Sequence, residues 1–387
     1  MKRSKSGLAR LIAVLGAGFV ITGLACGAPA AAPIPSAPIK IGAILSTTGP
    51  LGAVGSEELA GAQILVDEIN AKGGINGRRI ELVHADDESK PEVAISGVKR
   101  LIQQEKVVGL IGPASVAVSA SVQAVLEENK MPAVSAVGVI GPMNPYLFTV
   151  IPISKMVDTM MAWARERGST KVGLIALAGA QVETVRNSTV PDIERLATLV
   201  SIEVVQASDT DVTPALAKLR GAGAQVVYST ITGAQSAIVA KNFKQMNYPG
   251  IFITHLSNAT DNFVQLSGEA ADILNTSATK IIVYKDLPGS DPAKTRLTEF
   301  AKKYVAKTGK EPTVSAAGGH DMVLSLTEAI RVAGDNPQKI RDALENQTGV
   351  QGLNGVINRS AKEHNGVEPE WLIASVDPVT KRYGVKK

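Results

Sequence analysis

The sequence predicts an α/β fold built from two doubly wound parallel sheets. From Ile39 onward, short β-branched runs alternate with stretches of helical periodicity. That rhythm restarts for a second set of elements after residue 150. The 387 residues are too many for one ordinary core, so two lobes are expected.

In the first set, residues 39–45 form an apolar run that reads as a strand. Residues 56–70 read as a helix, with Leu59, Ala62, Ile64, Leu65 and Ile69 on its apolar side, Glu57 and Glu58 in its first turn, and Gly73-Gly74 to stop it. Residues 79–84 alternate as a strand that ends at Asp86-Asp87. Residues 93–104 are helical, 107–111 form a buried-type strand, 115–129 form a helix with Ser115 as its N-cap, and 132–135 form a strand. Strand and helix in strict alternation argue for a parallel sheet covered on both faces.

In the second set, residues 171–177, 199–205, 226–230 and 251–255 read as strands. Residues 159–167, 184–196, 213–221 and 235–246 read as helices. The last third supplies a strand at 280–283, helices at 294–308, 316–332 and 337–345, and a closing strand pair near 355–357 and 371–376. No solenoid period runs through the chain.

Residues 1–25 carry Lys2, Arg3, Lys5 and Arg10 ahead of an apolar stretch too short to span a bilayer comfortably, the plan of a secretory signal peptide. This leader takes four of the 40 basic residues and none of the 36 acidic ones, so the remaining chain is formally neutral. Nothing in a formally neutral chain suggests nucleic acid as a partner, and there is no basic amphipathic stretch for a membrane surface. Cys26 is the only cysteine, so no internal disulfide is available. Residues 26–38 are Ala/Pro-rich and read as a tether.

Several motifs resemble one family. Asn70-Ala71-Lys72-Gly73-Gly74-Ile75-Asn76-Gly77-Arg78, followed by Asp86-Asp87 and Pro91, is similar to the signature of the leucine/isoleucine/valine-binding proteins, the type I periplasmic binding proteins of ABC importers. Ile41-Gly42 through Thr48-Gly49-Pro50 resembles that family's first strand and loop. Ile111-Gly112-Pro113-Ala114-Ser115 resembles its ligand-binding loop, and Ser360 through His364-Asn365-Gly366 resembles a C-terminal segment of its members. The resemblance covers about residues 39–377. It implies two lobes joined by a three-strand hinge, 39–151 with 285–352 and 152–284 with 353–387. Gly23-Leu24-Ala25-Cys26 resembles a bacterial lipobox, with Gly23 where an aliphatic residue is usual; it implies lipidation of Cys26, and the alternative is ordinary cleavage near Ala28-Pro29-Ala30.

Ligands of open α/β sheets bind beyond the carboxyl ends of the strands. Ser115 sits at such an end, as an N-cap on one reading and as a ligand contact through its hydroxyl and the following N–H groups on the other. The resemblance favours the ligand contact, for a carboxylate. It also implies backbone contacts from Val137 and Val139, the latter in place of a family Thr. Family aromatic positions fall on Val54, Gln181 and Thr232, and a Tyr position falls on His320 in Gly319-His320-Asp321-Met322. The acid that pairs an amino acid's ammonium falls on Leu256, beside His255. An unpaired buried ammonium is costly, so a small carboxylate or neutral polar compound is expected to suit the site better than a zwitterion. His255 and His320 are read as donors to that ligand or as ordinary satisfied loop histidines. His84 and His364 are read as structural, and no cofactor or metal site is apparent.

The functional expectation is therefore an extracytoplasmic substrate-binding protein. It would be monomeric, close about its hinge on a carboxylate or amino-acid-like ligand, and dock on ABC permease subunits. A sensor feeding a regulatory partner is the alternative. A hydrolase using Ser115 with His255 or His320 is the enzyme reading; it lacks a nucleophile elbow, and no Walker loop or zinc signature offers another chemistry.

Overall fold

The computed structural model describes residues 37–137, 143–151, 154–368 and 371–385. The leader, Cys26 and residues 26–36 of the tether lie outside the described residues, as does Val139.

The first sheet is wholly parallel. It is made by β1 (Ile39–Leu45), α1 (Gly52–Ala71), β2 (Ile80–Asp86), α2 (Pro91–Gln103), β3 (Leu110–Ile111), α3 (Val116–Glu128), β4 (Ala133–Ser135) and β5 (Leu147–Thr149). Its strand order is β2-β1-β3-β4-β5. β1 is buried along nearly its whole length, as its unbroken Ile/Ala/Leu composition requires of a strand covered on both faces.

The second sheet follows from α4 (Ser154–Glu166), β6 (Lys171–Leu177), α5 (Ala180–Thr184), α6 (Val190–Glu194), β7 (Thr198–Val205), α7 (Thr213–Gly221), β8 (Val226–Ser229), α8 (Gly233–Gln245), β9 (Ile251–Thr254), α9 (Asp261–Ser267) and β10 (Asn275–Ala278). A single π turn, Val185–Thr189, connects α5 to α6. The chain then makes α10 (Lys294–Thr308), α11 (Val314–Ala333) and α12 (Pro337–Glu345). A small antiparallel sheet follows, of β11 (Val350–Gln351), β12 (Val356–Ile357) and β13 (Val367–Glu368), and then β14 (Leu372–Val376) and β15 (Tyr383–Val385). The second sheet is ordered β15-β14-β10-β9-β8-β6-β7, parallel from β10 to β7 and antiparallel at β14 and β15. The fold class is the one the sequence rhythm predicts.

α11 returns to the first sheet, where it packs on α1, β3 and β4, while α12 packs on α11. The crossing of α1 with α11 depends on glycine. A β-carbon on Gly61 would overlap the carbonyl oxygen of Ala316, and one on Gly319 would overlap the carbonyl of Glu58.

Two expected strands differ from the structure. Residues 280–283 are turns, not a strand; Ile281 and Val283 are buried there as packing groups. The strand is the more polar Asn275–Ala278. Asn275 donates through Nδ2 to the Phe252 carbonyl of β9 (2.9 Å) and accepts from the Ser375 hydroxyl of β14 (2.7 Å), so hydrogen bonding rather than apolar content secures it. The expected closing pair is also split. Val356–Ile357 belongs to the small sheet, whereas Leu372–Val376 pairs with β10 and β15, whose registers satisfy its backbone along the strand.

The small sheet is fastened to the first half by buried polar groups. Arg359 donates from Nη1 to Ser325 Oγ and Gln347 Oε1 (both 2.6 Å) and from Nη2 to the Thr149 carbonyl (2.8 Å). His364 stacks on Phe148 with ring centroids 4.2 Å apart, and its Nε2 lies 3.2 Å from Glu345 Oε1. His364 is thus structural, as expected. His84, with Nε2 3.2 Å from the Leu45 carbonyl, is also engaged with backbone.

Candidate functional site

The carboxyl ends of the parallel strands bring most of the expected residues to two edges. In the first sheet, β3 runs into Gly112–Ser115 and β4 into Ala136 and Val137. Ser115 is half-buried and caps α3: its Oγ accepts from the Val118 N–H at 3.2 Å. The cap uses a lone pair of the hydroxyl, so the O–H proton stays available to a ligand, and the first-turn N–H groups of α3 lack intrahelical acceptors. The N-cap and ligand readings are therefore compatible.

Behind this loop lies Ser135, fully buried. Its Oγ is 2.6 Å from the Pro113 carbonyl, 2.7 Å from the Val137 carbonyl and 3.3 Å from Ser119 Oγ. It ties the exits of β3 and β4 to α3. Val137 is half-buried, with its carbonyl turned to that hydroxyl. Val54 is half-buried on α1 against the apolar core.

At the second edge, Gln181 is committed to backbone. Its Oε1 accepts from the Leu177 N–H at 2.9 Å and its Nε2 donates to the Thr230 carbonyl at 3.1 Å, which joins the ends of β6 and β8. Thr232 is exposed at the N-cap of α8 and makes no side-chain cap hydrogen bond, so its hydroxyl is available.

His255 follows β9 and caps the 3-10 turn Leu256–Asn258. Its Nδ1 accepts from the Ser257 N–H at 3.2 Å, which puts the ring proton on Nε2. Burial pushes the imidazole down to about 4, so it is neutral at physiological pH. Leu256 is buried in the apolar core, and its turn packs against α11, the helix that carries His320. His320 Nδ1 lies 2.9 Å from Asp321 Oδ1, and its ring meets Phe300 edge-on at 5.3 Å. Asp321 also accepts from the N–H groups of Leu353 and Asn354, so it anchors both His320 and the segment after α12.

Sequence reasoning gave no role to two residues that hold these edges: Ser135, the first residue of the loop that carries Val137, and Asn258. Their signal is a small polar residue at or just past the end of an apolar strand. A third, Glu58, is 1% exposed on α1, one turn past Val54. Its Oε2 and Oδ2 of the fully buried Asp87 have no hydrogen-bond partner. Asp87 Oδ1 is bonded to the Ser46 hydroxyl at the exit of β1. Burial first, then the charges of Glu57 and Asp87, hold the Glu58 carboxyl well above the usual carboxylate range.

Two hollows open to solvent lie elsewhere. One, of about 440 Å³, is bordered by Asp261, Gln265, Lys381 and Arg382; the other, of about 390 Å³, by Thr47, Ser56, Gln63 and Lys307. None of the expected site residues borders either, and Thr47 of the second follows the carboxyl end of β1. Among the described residues no group of three or more His, Cys, Asp and Glu could hold a metal ion, and no helix is long and apolar enough to cross a membrane.

Comparison with known proteins agrees with the fold. The sequence model of the Periplasmic binding protein family matches residues 38–381. A Leu/Ile/Val-binding protein of Rhizobium johnstonii is 40% identical over 98 residues, and the chain spans only about a quarter (26%) of that relative's length. A Leu/Ile/Val-binding protein homolog of Brucella abortus is 24% identical over 360 residues, 87% of this chain and 91% of the relative. The branched-chain amino acid transporter substrate-binding protein LivJ of Streptococcus pneumoniae, solved with isoleucine, superposes with a TM-score of 0.75 at 25% identity, over 91% of this chain and 100% of that one. An extracellular ligand-binding receptor of Rhodopseudomonas palustris HaA2 has the same fold, with a TM-score of 0.78 at 23% identity over 91% of this chain and 100% of that one. These relatives are binding proteins and receptors, not enzymes.

Proposed function

The chain belongs to the periplasmic binding protein family, and from that premise we propose that it is the substrate-binding component of a branched-chain-amino-acid-type ABC importer. It takes a small organic ligand by hinge closure and hands it to permease subunits in the membrane. Membership of this family places it outside the cytoplasm. Cleavage after residue 25 and lipidation of Cys26 would tether it to the membrane surface.

The proposed lobes are 39–151 with 285–352 and 152–284 with 353–387, although Arg359 and His364 in the last segment pack on the first half. The third crossing runs along the first lobe as the small sheet before it joins the second. The ligand lies between the two strand-end edges, with Ser115, Val137, Val54 and His320 from the first lobe and Gln181, Thr232, His255 and Leu256 from the second; Val139, outside the described residues, is kept as a first-lobe contact on the family resemblance alone.

The observation that carries the ligand class is the chemistry of the second edge. A hydroxyl at Thr232 and a neutral imidazole at His255 follow β8 and β9, where an ammonium would need a carboxylate. Both groups can donate to a carboxylate or a carbonyl. The ligand is therefore a small carboxylate or neutral polar compound, bound without an ammonium contact on this side.

A thermal-shift screen of amino acids, aliphatic acids, aromatic acids and amides tests this. A ligand at a hundred times its Kd adds about 2.7 kcal/mol to stability, so the best class stands out as a raised Tm. Aliphatic or aromatic acids are expected to lead. Leucine or valine binding with submicromolar affinity overturns the ligand class, and a flat response to every compound overturns the binding role.

A further inference from the structure

Asn258 ends the turn that His255 begins. It is 2% exposed, so it touches no ligand. Its carboxamide is fully used: Nδ2 donates to Thr254 Oγ1 (2.6 Å) and to the Ile231 carbonyl (2.9 Å), and Oδ1 accepts from the Gly233 N–H (2.9 Å). Its backbone N–H donates to the His255 carbonyl at 2.9 Å. The network continues inward from Thr254 Oγ1 to Ser236 Oγ (3.1 Å) and on to Ser229 Oγ (3.2 Å).

Four of the partners of Asn258 bracket the two groups available to a ligand. Ile231 and Gly233 are the chain neighbours of Thr232 on either side. Thr254 precedes His255, and the His255 carbonyl is itself bonded. One buried side chain therefore fixes the backbone on both sides of Thr232 and ties it to the hydroxyl of Thr254, the residue before His255, on the exits of two neighbouring strands whose ends pair as Ser229 with Thr254. An aspartate in its place keeps the acceptor for Gly233 but loses both Nδ2 donors and sets a negative charge against the Ile231 carbonyl. An alanine leaves the Gly233 N–H and the Ile231 carbonyl unpaired.

We propose that Asn258 is the positioning residue of the ligand-binding edge, setting the Thr232 hydroxyl and the His255 imidazole in one fixed relation and so controlling ligand affinity without touching the ligand. This rests on the reading that Thr232 and His255 contact the ligand.

The test uses the full chain and the best compound from the thermal-shift screen. Asn258→Ala and Asn258→Asp are each expected to weaken binding by about tenfold or more, and Asn258→Ala is expected to cost less in a His255→Phe background, where only the Thr232 contact is left to displace, because residues acting through one another are not additive. Affinity within about twofold of wild type, or losses that add in full, overturns the proposal.

The second readout is the ¹⁵N spectrum of the His255 ring, assigned with His255→Gln. The wild type is expected to show one neutral tautomer with its proton on Nε2, and Asn258→Ala is expected to show a mixture. An unchanged spectrum overturns the proposal even if no compound in the screen binds, so failure of the binding role is distinguished from failure of the positioning role. If Asn258→Ala does not fold, Asn258→Asp carries both readouts.

Discussion

Gly61 of α1 packs directly on the backbone of Ala316 in α11, so closely that a single added methyl would overlap the Ala316 carbonyl. The contact is backbone against backbone, so no flexible side chain can move aside. Gly61→Ala is expected to destabilise the fold by about 1–3 kcal/mol, the usual cost of overpacking a rigid site, although alanine is the better helix former. Chemical denaturation measures it, and an unchanged midpoint refutes the tight crossing.

The Glu58 carboxyl predicts an unusual pH dependence. Its pKa is raised in the folded state by burial and by Glu57 and Asp87. In the unfolded chain it ionises near its ordinary value of 4.5. Between these two values the folded chain holds a proton that the unfolded chain has released. Stability from this group is therefore fully present below 4.5 and falls as pH rises through the window, by about 1.4 kcal/mol for each pH unit inside it. Glu58→Gln removes that decline. Its urea midpoint relative to wild type is expected to be higher at pH 8 than at pH 5, and an equal difference at the two pH values shows that Glu58 is ionised in the fold.

Arg359 is 4% exposed, its hydrogen bonds go to neutral oxygens of Ser325, Gln347 and Thr149, and its guanidinium lies 5.4 Å from the Phe148 ring centroid. Burial pulls its pKa down to about 9, which leaves it charged at neutral pH. Arg359→Met strands several buried acceptors, and a loss of about 1–3 kcal/mol is expected. Arg359→Lys is expected to cost at least as much, because an ammonium retains the charge but cannot reach the same acceptors in one plane. A lysine variant as stable as wild type, measured by denaturation, contradicts this.

Ser115 combines two roles that substitutions can separate. Ser115→Ala removes the cap and the ligand hydroxyl, so stability is expected to fall by about 1 kcal/mol and affinity by about tenfold. Ser115→Asp keeps the cap but repels a carboxylate, so stability is expected to hold while affinity falls further. Calorimetric binding beside thermal melts checks both; unchanged affinity in Ser115→Ala removes the residue from the site.

The helices and the first strands are legible because apolar periodicity and glycine stops mark them, as with β1 and the Gly73-Gly74 end of α1. What stays hidden is structure held by polar side chains. Asn275–Ala278 does not look like a strand, and the β-branched 280–283 does, until the bonds of Asn275 to Phe252 and Ser375 are known. The three-residue β5 is too short to carry a period. The candidate site was legible as strand ends, through Ser115, Thr232 and His255. Gln181 could be placed from its sequence neighbourhood, but nothing there shows that its amide is spent on Leu177 and Thr230. The roles of Ser135 and Asn258 stayed unseen because most of their partners are backbone groups, which no residue identity reports.

The return of α11 to the first sheet constrains how the molecule is made. Five strands of that sheet are complete by Thr149, yet the helix that covers β3 and β4 begins only at Val314. A growing chain must therefore carry an uncovered apolar face through the synthesis of the whole second sheet. Such long-range closure is slow and leaves the nascent polypeptide exposed to aggregation. A product truncated before α11 would be an unfinished half-molecule, and its natural fate is a chaperone or a protease.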